Sequence, residues 1–270
     1  MTAGEQRAGG AAPGRANTGR WPYDERAYAQ GHDRHYNLSQ ISQPHFRFEC
    51  GTVERIIRDR AVSGWCDLAC GTAPHLRAVR THRPILRVGV DRAGAMLDVA
   101  RQRAGPARVR LIEQDVRDLP PQPAHDLVTS FWYGYIHQDS LEEVFRFLFA
   151  AVNQVAPGGT LLLGLCDPLD LFDRQARHTP VLMGGDLDID ALIWSYTEPW
   201  SGARFANCIA PHADLIRDRL SAAFTDCTTL HYPPPGHRRA NWNRKALLFT
   251  GRRVSGCAVS GRKDAIAGEA

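Results

Sequence analysis

Residues 160 to 166 read TLLLGLC, seven positions with no charge and little polarity. A strand with one wet face alternates apolar and polar residues, whereas an unbroken apolar run marks a strand covered on both faces. Such a strand needs a layer on each side, and the sequence around it supplies candidates. Short apolar runs occupy 64 to 68 (GWCDL), 85 to 90 (ILRVGV), 109 to 112 and 127 to 131 (LVTSF). Helical stretches separate them at 74 to 80, 93 to 103 and 141 to 155. In the last, Leu141, Val144, Leu148, Val152 and Val155 recur at helical spacing. Strand and helix therefore alternate in units of roughly 25 to 40 residues, which argues for an α/β fold: a doubly wound, mostly parallel sheet with helices on both faces.

The rhythm breaks after Asp167. Residues 168 to 210 are rich in Asp, Trp and Pro and hold two extended pieces, 192 to 197 and 204 to 210. They read as a cap inserted after the fifth strand. A helix (212 to 223) and two strands (227 to 232, 245 to 252) follow. Residues 1 to 20 contain five Gly and five Ala without apolar periodicity and read as a disordered tail, and 254 to 270 as a second flexible tail. Between them, 21 to 60 are expected to form N-terminal helices and 61 to 253 the main domain with its cap.

With 270 residues, 43% of them hydrophobic, the chain can bury a substantial core. No run of 18 apolar residues and no signal-like apolar stretch is present, so neither a membrane partner nor secretion is expected; cytoplasmic is the default. A net charge of +4 does not call for a nucleic-acid partner. Of 33 basic residues only Lys245 and Lys263 are lysine. The seven cysteines are odd in number and scattered, and Cys66 and Cys70 have no second pair at ligand spacing, so reduced thiols and no metal are expected.

The first strand runs into Asp67-Leu68-Ala69-Cys70-Gly71-Thr72-Ala73-Pro74-His75. Small residues between a strand and a helix bring backbone N–H groups close to a ligand, or simply allow tight packing. Acidic residues at other strand ends sharpen the choice. Asp91 closes the second strand, where a carboxylate can accept both hydroxyls of an adenosine ribose; it is also well placed to cap the next helix. Asp115 closes the third, where it can accept from an adenine amino group while Val116 packs on the ring, or stand as a solvated loop acid. Ligands of parallel sheets bind at these strand ends.

The run DLACGTA resembles motif I of the class I S-adenosylmethionine-dependent methyltransferases, with Ala69 and Ala73 where that motif often carries glycine. The resemblance extends over about 64 to 252 and includes the Ala-Pro-Gly-Gly turn at 156 to 159. It implies a seven-stranded sheet with the last strand antiparallel, and S-adenosyl-L-methionine as cofactor. It implies that Asp67, Ala69, Cys70 and Gly71 lie by the methionine part and Asp91, with Arg92 beside it, by the ribose. Asp115 and Val116 would meet the adenine, and Ser130, Phe131, Trp132 and Tyr133 would pass the methyl group. The block WPYDERAYAQGHDRHYN (21 to 37) is similar to the lid helix of small-molecule members, which brings Tyr23 to the cofactor and Tyr36 to the substrate; the other reading is a surface helix. Asp167 and Trp200, at the base and within the cap, are the remaining substrate-side candidates. Aromatic faces of Trp132, Tyr133 and Tyr23 suit a sulfonium.

Other readings are weaker. A nicotinamide dehydrogenase wants glycine where Ala69 and Pro74 stand, and proline removes an N–H that a phosphate would need. Nucleic-acid methyltransferases often carry an Asn/Asp-Pro-Pro-aromatic run after the fourth strand, where this chain has Thr-Ser-Phe-Trp-Tyr. A protein substrate or a non-catalytic sulfonium-binding role remains as an alternative. The expectation is a small-molecule methyltransferase of secondary metabolism, monomer or homodimer. His137, in WYGYIHQD after the fourth strand, is the candidate general base; it would matter for a hydroxyl acceptor and not for an amine. The acids Asp167, Asp170, Asp173, Asp186, Asp188, Asp190 and Glu198 would favour a cationic amine if they lined the pocket, and are a solvated face otherwise.

Overall fold

A computed structural model describes residues 21–37, 43–103, 109–170, 190–233 and 245–254. The first expected tail, 255–270 of the second and the middle of the cap, 171–189, lie outside the described residues, as do Asp173, Asp186 and Asp188.

The strands are β1 (Gly64–Leu68), β2 (Leu86–Asp91), β3 (Val109–Glu113), β4 (His125–Ser130), β5 (Val155–Gly164), β6 (Ala191–Thr197), β7 (Arg204–Pro211), β8 (Asp226–His231) and β9 (Lys245–Thr250). Seven form one sheet in the order β3-β2-β1-β4-β5-β9-β8. Its pairs are parallel except that β9 runs antiparallel to β5 and β8. All five residues of β1 are buried, Asp67 among them, as a strand covered on both faces requires. Strand order reverses between β1 and β4, and the crevice beyond their carboxyl ends is where an open α/β sheet takes ligands.

The helices are α1 (Arg26–His32), α2 (Gln43–Asp59), α3 (Pro74–Ala78), α4 (Gly94–Gln102), α5 (Leu141–Gln154) and α6 (Ala213–Ser221). Helix α5 starts where Ser140 Oγ accepts from the Glu143 N–H at 3.2 Å, and it buries Val144, Phe147, Leu148, Ala151 and Val152 against the sheet. Among the described residues no helix is long and apolar enough to cross a membrane.

The Ala-Pro-Gly-Gly turn differs from expectation. It does not precede β5 but belongs to it: Val155 already pairs with His125, and the register then shifts before Leu127 meets Thr160. Gly158, at φ 76°, donates to Arg252 O at 2.8 Å, so the irregularity is tied to the end of β9. The region 21–60 is helical as expected: a 3₁₀ turn at Pro22–Asp24, α1 continuing through a π turn at Asp33–Asn37, then α2. The described part of the cap is an antiparallel hairpin of β6 and β7.

Candidate active site

One cleft opens at the strand-order reversal. Its floor is Asp67, Ala69, Cys70, Gly71, Thr72, Pro74 and His75 from the β1–α3 loop. Asp91, Arg92, Ala93 and Met96 form one wall with Asp115 and Val116; Phe131, Trp132, Gly134, His137, Gln138 and Phe147 form the other, and Trp21, Tyr23 and His32 roof it.

The floor turns sharply because Ala69, Gly71 and Ala73 all take left-handed φ, at 52°, 54° and 56°. Two alanines hold a conformation that costs an L residue about 1–2 kcal/mol. Tertiary contacts hold them there. The Gly71 N–H donates to Asp91 Oδ2 at 2.7 Å and the Ala93 N–H to Asp91 Oδ1 at 2.9 Å. The Cys70 N–H donates to Val90 O at 3.0 Å. Asp91 thus ties motif I to the β2–α4 turn. Its capping and ligand-facing roles coexist, since each carboxylate oxygen keeps acceptor capacity. Burial raises its carboxyl above the usual range, opposed by those two N–H donors.

Asp67 is buried and accepts from Thr129 Oγ1 at 2.6 Å, and Thr129 accepts in turn from Trp65 Nε1 at 2.9 Å. Burial pushes the Asp67 carboxyl up to about 6 against the charge of His75. Asp115 is held by Arg117, whose backbone N–H and Nε reach Oδ1 at 2.9 and 3.0 Å and whose Nη2 reaches Oδ2 at 2.7 Å. Burial pushes that carboxyl up, but Arg117 outweighs it and holds the group below the usual range. Val116 is buried beside it. Arg92 lies over the Trp21 ring, 4.8 Å from its centroid, and so joins the ribose-side wall to the roof.

The roof is latched by a buried carboxylate. Asp33 Oδ1 accepts from Thr72 Oγ1 at 2.8 Å, and Asp33 Oδ2 lies 2.5 Å from Arg103 Nε. The segment 21–37 is therefore fastened to the motif I loop and to the end of α4, as a lid is.

Other candidates from the sequence are distributed differently. Tyr23 and Trp132 line the cleft, and His137 lies 5.3 Å from the Trp21 ring and 5.9 Å from that of Tyr23. Burial and the charge of Arg92 lower the His137 imidazole to about 3. Ser130 is buried at the end of β4 and does not line the cleft. Trp132 and Tyr133 occupy consecutive left-handed positions, φ 54° and 55°; Trp132 lines the cleft, and Tyr133 packs against the core beside it. Asp167 is buried 3.0 Å from Lys245 Nζ, an ion pair that removes it from the acceptor side; Lys245 also meets Asp170 at 3.7 Å. Trp200 packs on the lid rather than in the cleft, 5.2 Å from Tyr28 and 5.4 Å from His35. Glu198 is likewise taken up, accepting from Tyr28 Oη at 2.7 Å and Ser201 Oγ at 2.9 Å. The side chain of Tyr36 lies outside the described residues. Sequence reasoning missed His75, Gln138, Phe147 and Met96. His75 had a signal, being at the second position of the helix that motif I opens.

These residues fit S-adenosylmethionine. Asp91 offers carboxylate oxygens to a diol, and Val116 and Met96 offer apolar faces to a flat ring. Gln138 Oε1 is a buried acceptor without a hydrogen-bond partner among the described residues, in the wall that holds Phe147. Asp91, Asp115 and Val116 would hold the nucleoside end, with Asp67, His75 and Trp132 on the β1 and β4 side of the cleft. The bound group supplies an electrophilic methyl on a cationic sulfur, so the protein's part is to orient and desolvate.

The model of a methyltransferase domain matches residues 66–159, the stretch from Asp67 to Phe147 that builds most of the cleft. No curated protein sequence matches the chain significantly. Among solved structures, an amino pentose methyltransferase of calicheamicin biosynthesis from Micromonospora echinaspora, with S-adenosylmethionine bound, is 21% identical at a TM-score of 0.50, over 76% of this chain and 91% of that one. The magnesium protoporphyrin IX methyltransferase of Synechocystis PCC 6803, with S-adenosylhomocysteine bound, is 14% identical at a TM-score of 0.53, over 79% and 85%. An S-adenosylmethionine-dependent methyltransferase from Clostridium acetobutylicum is 16% identical at 0.52, over 83% and 97%. Sheet order and the position of the cleft are those of the Rossmann-like methyltransferase fold. Residues 66–159 thus match a methyltransferase domain, and the chain shares its fold with S-adenosylmethionine-dependent methyltransferases.

Proposed function

We propose that this methyltransferase acts on a small molecule bearing an amine and methylates the nitrogen, with an amino sugar of secondary metabolism as the substrate class. The roofed cleft carries this reading. Trp21, Tyr23 and His32 cover it, and Phe205 of the β6–β7 hairpin packs on Tyr23 at 5.4 Å and on His137 at 5.4 Å. A free small molecule is enclosed by such a roof, whereas a base in a duplex or a peptide segment needs an open approach. The lining also carries three aspartates and a single arginine, a poor match for phosphate.

The choice of nitrogen rests on His137. An imidazole lowered to about 3 is a feeble proton acceptor. A neutral amine needs no base before it attacks, whereas an alcohol does. The amino pentose enzyme from Micromonospora echinaspora shares the fold. A cytoplasmic monomer or homodimer, working without nucleic acid or membrane, fits the same reading.

The test is to incubate the purified enzyme with S-adenosylmethionine and a panel of nucleotide-linked amino sugars, their deaminated hydroxyl counterparts, and bulk RNA, DNA and protein. Mass spectrometry should find one added methyl on an amine of the panel. Methylation confined to hydroxyl compounds would overturn the choice of nitrogen, and saturable labelling of a polymer would overturn the small-molecule reading.

A further inference from the structure

Helix α2 lies outside the family-model match, yet it sends one carboxylate into the heart of the fold. Its apolar stripe runs Phe46, Cys50, Val53, Ile57, and Glu49 sits on the same face with no exposed side-chain surface. A buried carboxylate is tolerated where donors surround it. Glu49 Oε2 accepts from His75 Nε2 at 2.8 Å and from Trp132 Nε1 at 3.1 Å, and Oε1 accepts from Tyr232 Oη at 2.9 Å. His45, one turn earlier on α2, packs on the Tyr232 ring at 5.2 Å.

Two of those donors line the cleft, after β1 and β4, whereas Asp91 and Asp115 stand at the ends of β2 and β3 on the other side of the strand order. His75 stands on the first turn of α3 and stacks on Phe131 at 4.4 Å; its ring meets Trp132 edge-on at 5.7 Å. Trp132 begins the pair of left-handed residues that turns the chain out of β4. Two consecutive non-glycine residues in that region cost about 1–3 kcal/mol each and persist only where surrounding contacts over-determine them. Glu49 supplies such a contact, because its bond to the indole N–H fixes the ring whose backbone is strained.

We propose that Glu49 is a positioning residue of this methyltransferase: by holding His75 and Trp132 it sets the wall of the cleft at the methionine end of the cofactor. Its reach is confined to that end. The nucleoside end is organised independently, by Asp91 on the Gly71 and Ala93 N–H groups and by Asp115 on Arg117.

The test compares two probes by titration calorimetry: S-adenosylhomocysteine, and 5′-methylthioadenosine, which keeps the nucleoside and lacks the amino acid. In Glu49→Gln the affinity for S-adenosylhomocysteine should fall about tenfold, the lower range for a hydrogen bond to a charged group, with methylthioadenosine binding unchanged. A general structural injury would weaken both probes alike, and that result overturns the proposal, as does a variant that binds both as the wild type does. Trp132→Phe keeps a ring and loses the donor, and should show the same selective loss. The double variant should be no worse than Glu49→Gln alone, because the bond that Trp132→Phe removes is one of those Glu49→Gln already disturbs. Should Glu49→Gln fail to fold, Trp132→Phe decides: full affinity for S-adenosylhomocysteine in that variant refutes the positioning role.

Discussion

The indole of Trp200 lies across the backbone of Gly31, so closely that a Cβ on Gly31 would stand 2.6 Å from Cζ3 of the ring. A residue of the cap hairpin and a residue of the lid helix are thus in direct contact, and the ring cannot easily withdraw because Tyr28 and His35 flank it. In an isolated helix Gly31→Ala would stabilise by about 1 kcal/mol. Here overpacking of about 1–3 kcal/mol opposes that gain. Gly31→Ala should loosen the lid from the cap. The measurement is limited trypsin cleavage at the exposed Arg26 and Arg34, which should quicken in Gly31→Ala and in Trp200→Ala. Cleavage at the wild-type rate in both would show that the contact does not hold the lid.

A second close approach joins motif I to the turn after β4. A Cβ on Gly134 would fall deep inside van der Waals contact of the Ala69 Cβ. Gly134→Ala should therefore cost about 1–3 kcal/mol in denaturant unfolding and weaken S-adenosylhomocysteine binding. Ala69→Gly removes the opposing methyl and relieves a left-handed alanine. Added to Gly134→Ala, it should recover most of both losses. Strictly additive effects would mean that the two residues do not compete for one space.

Asp67 makes stability depend on pH in an unusual direction. Its folded carboxyl titrates at about 6, above the ordinary value of 3.8. Between these values the folded chain binds more protons than the unfolded chain, so this group's contribution to stability falls as pH rises, then stays level above about 6. The whole change corresponds to roughly 3 kcal/mol. Asp67→Asn keeps an acceptor for Thr129 and removes the titration. Its stability relative to wild type should improve from pH 4 to pH 6 and then plateau, measured by urea unfolding across that range. A constant difference over the whole interval would mean that Asp67 ionises in the folded chain as it does in the unfolded one.

The strand ends were legible because parallel strands buried on both faces leave long apolar runs, so Asp67, Asp91 and Asp115 stand out where those runs stop. The sheet, including the reversed β9, followed from that rhythm and the family resemblance. Other features depend on contacts that no local pattern encodes. Trp200 reads as a pocket residue until Gly31 is seen beneath it. Asp167 reads as an acid for a cationic substrate until Lys245, 78 positions later, is found 3.0 Å away. Glu49 carried a faint sign, an acid on an apolar helix face, but its partners His75, Trp132 and Tyr232 come from three distant stretches of chain. The left-handed alanines were hidden because motif I marks the turn by glycine, and here contacts do the work that glycine's freedom does elsewhere.

His137 decides how much the protein contributes beyond proximity. Its sequence position made it the candidate base, for which His137→Ala would cost roughly 10²–10⁴ in kcat. Its surroundings point the other way. Burial and Arg92 lower the imidazole to about 3, so the ring is neutral throughout the working range and gains little by taking a proton. Nδ1 lies 3.7 Å from Cys208 Sγ, and burial pushes that thiol up to about 12, so it keeps its hydrogen. A thiol that donates to Nδ1 leaves the ring proton on Nε2, and the ring then offers a donor rather than an acceptor. With an amine acceptor, His137→Ala should lower kcat by less than about tenfold and leave cofactor affinity unchanged, since only orientation is lost. The pH–rate profile should rise with the ionisation of the acceptor amine in wild type and variant alike. A wild-type rise near the ordinary imidazole value that disappears in His137→Ala, together with a loss of a hundredfold or more, would restore His137 as the base and move the acceptor from nitrogen toward oxygen.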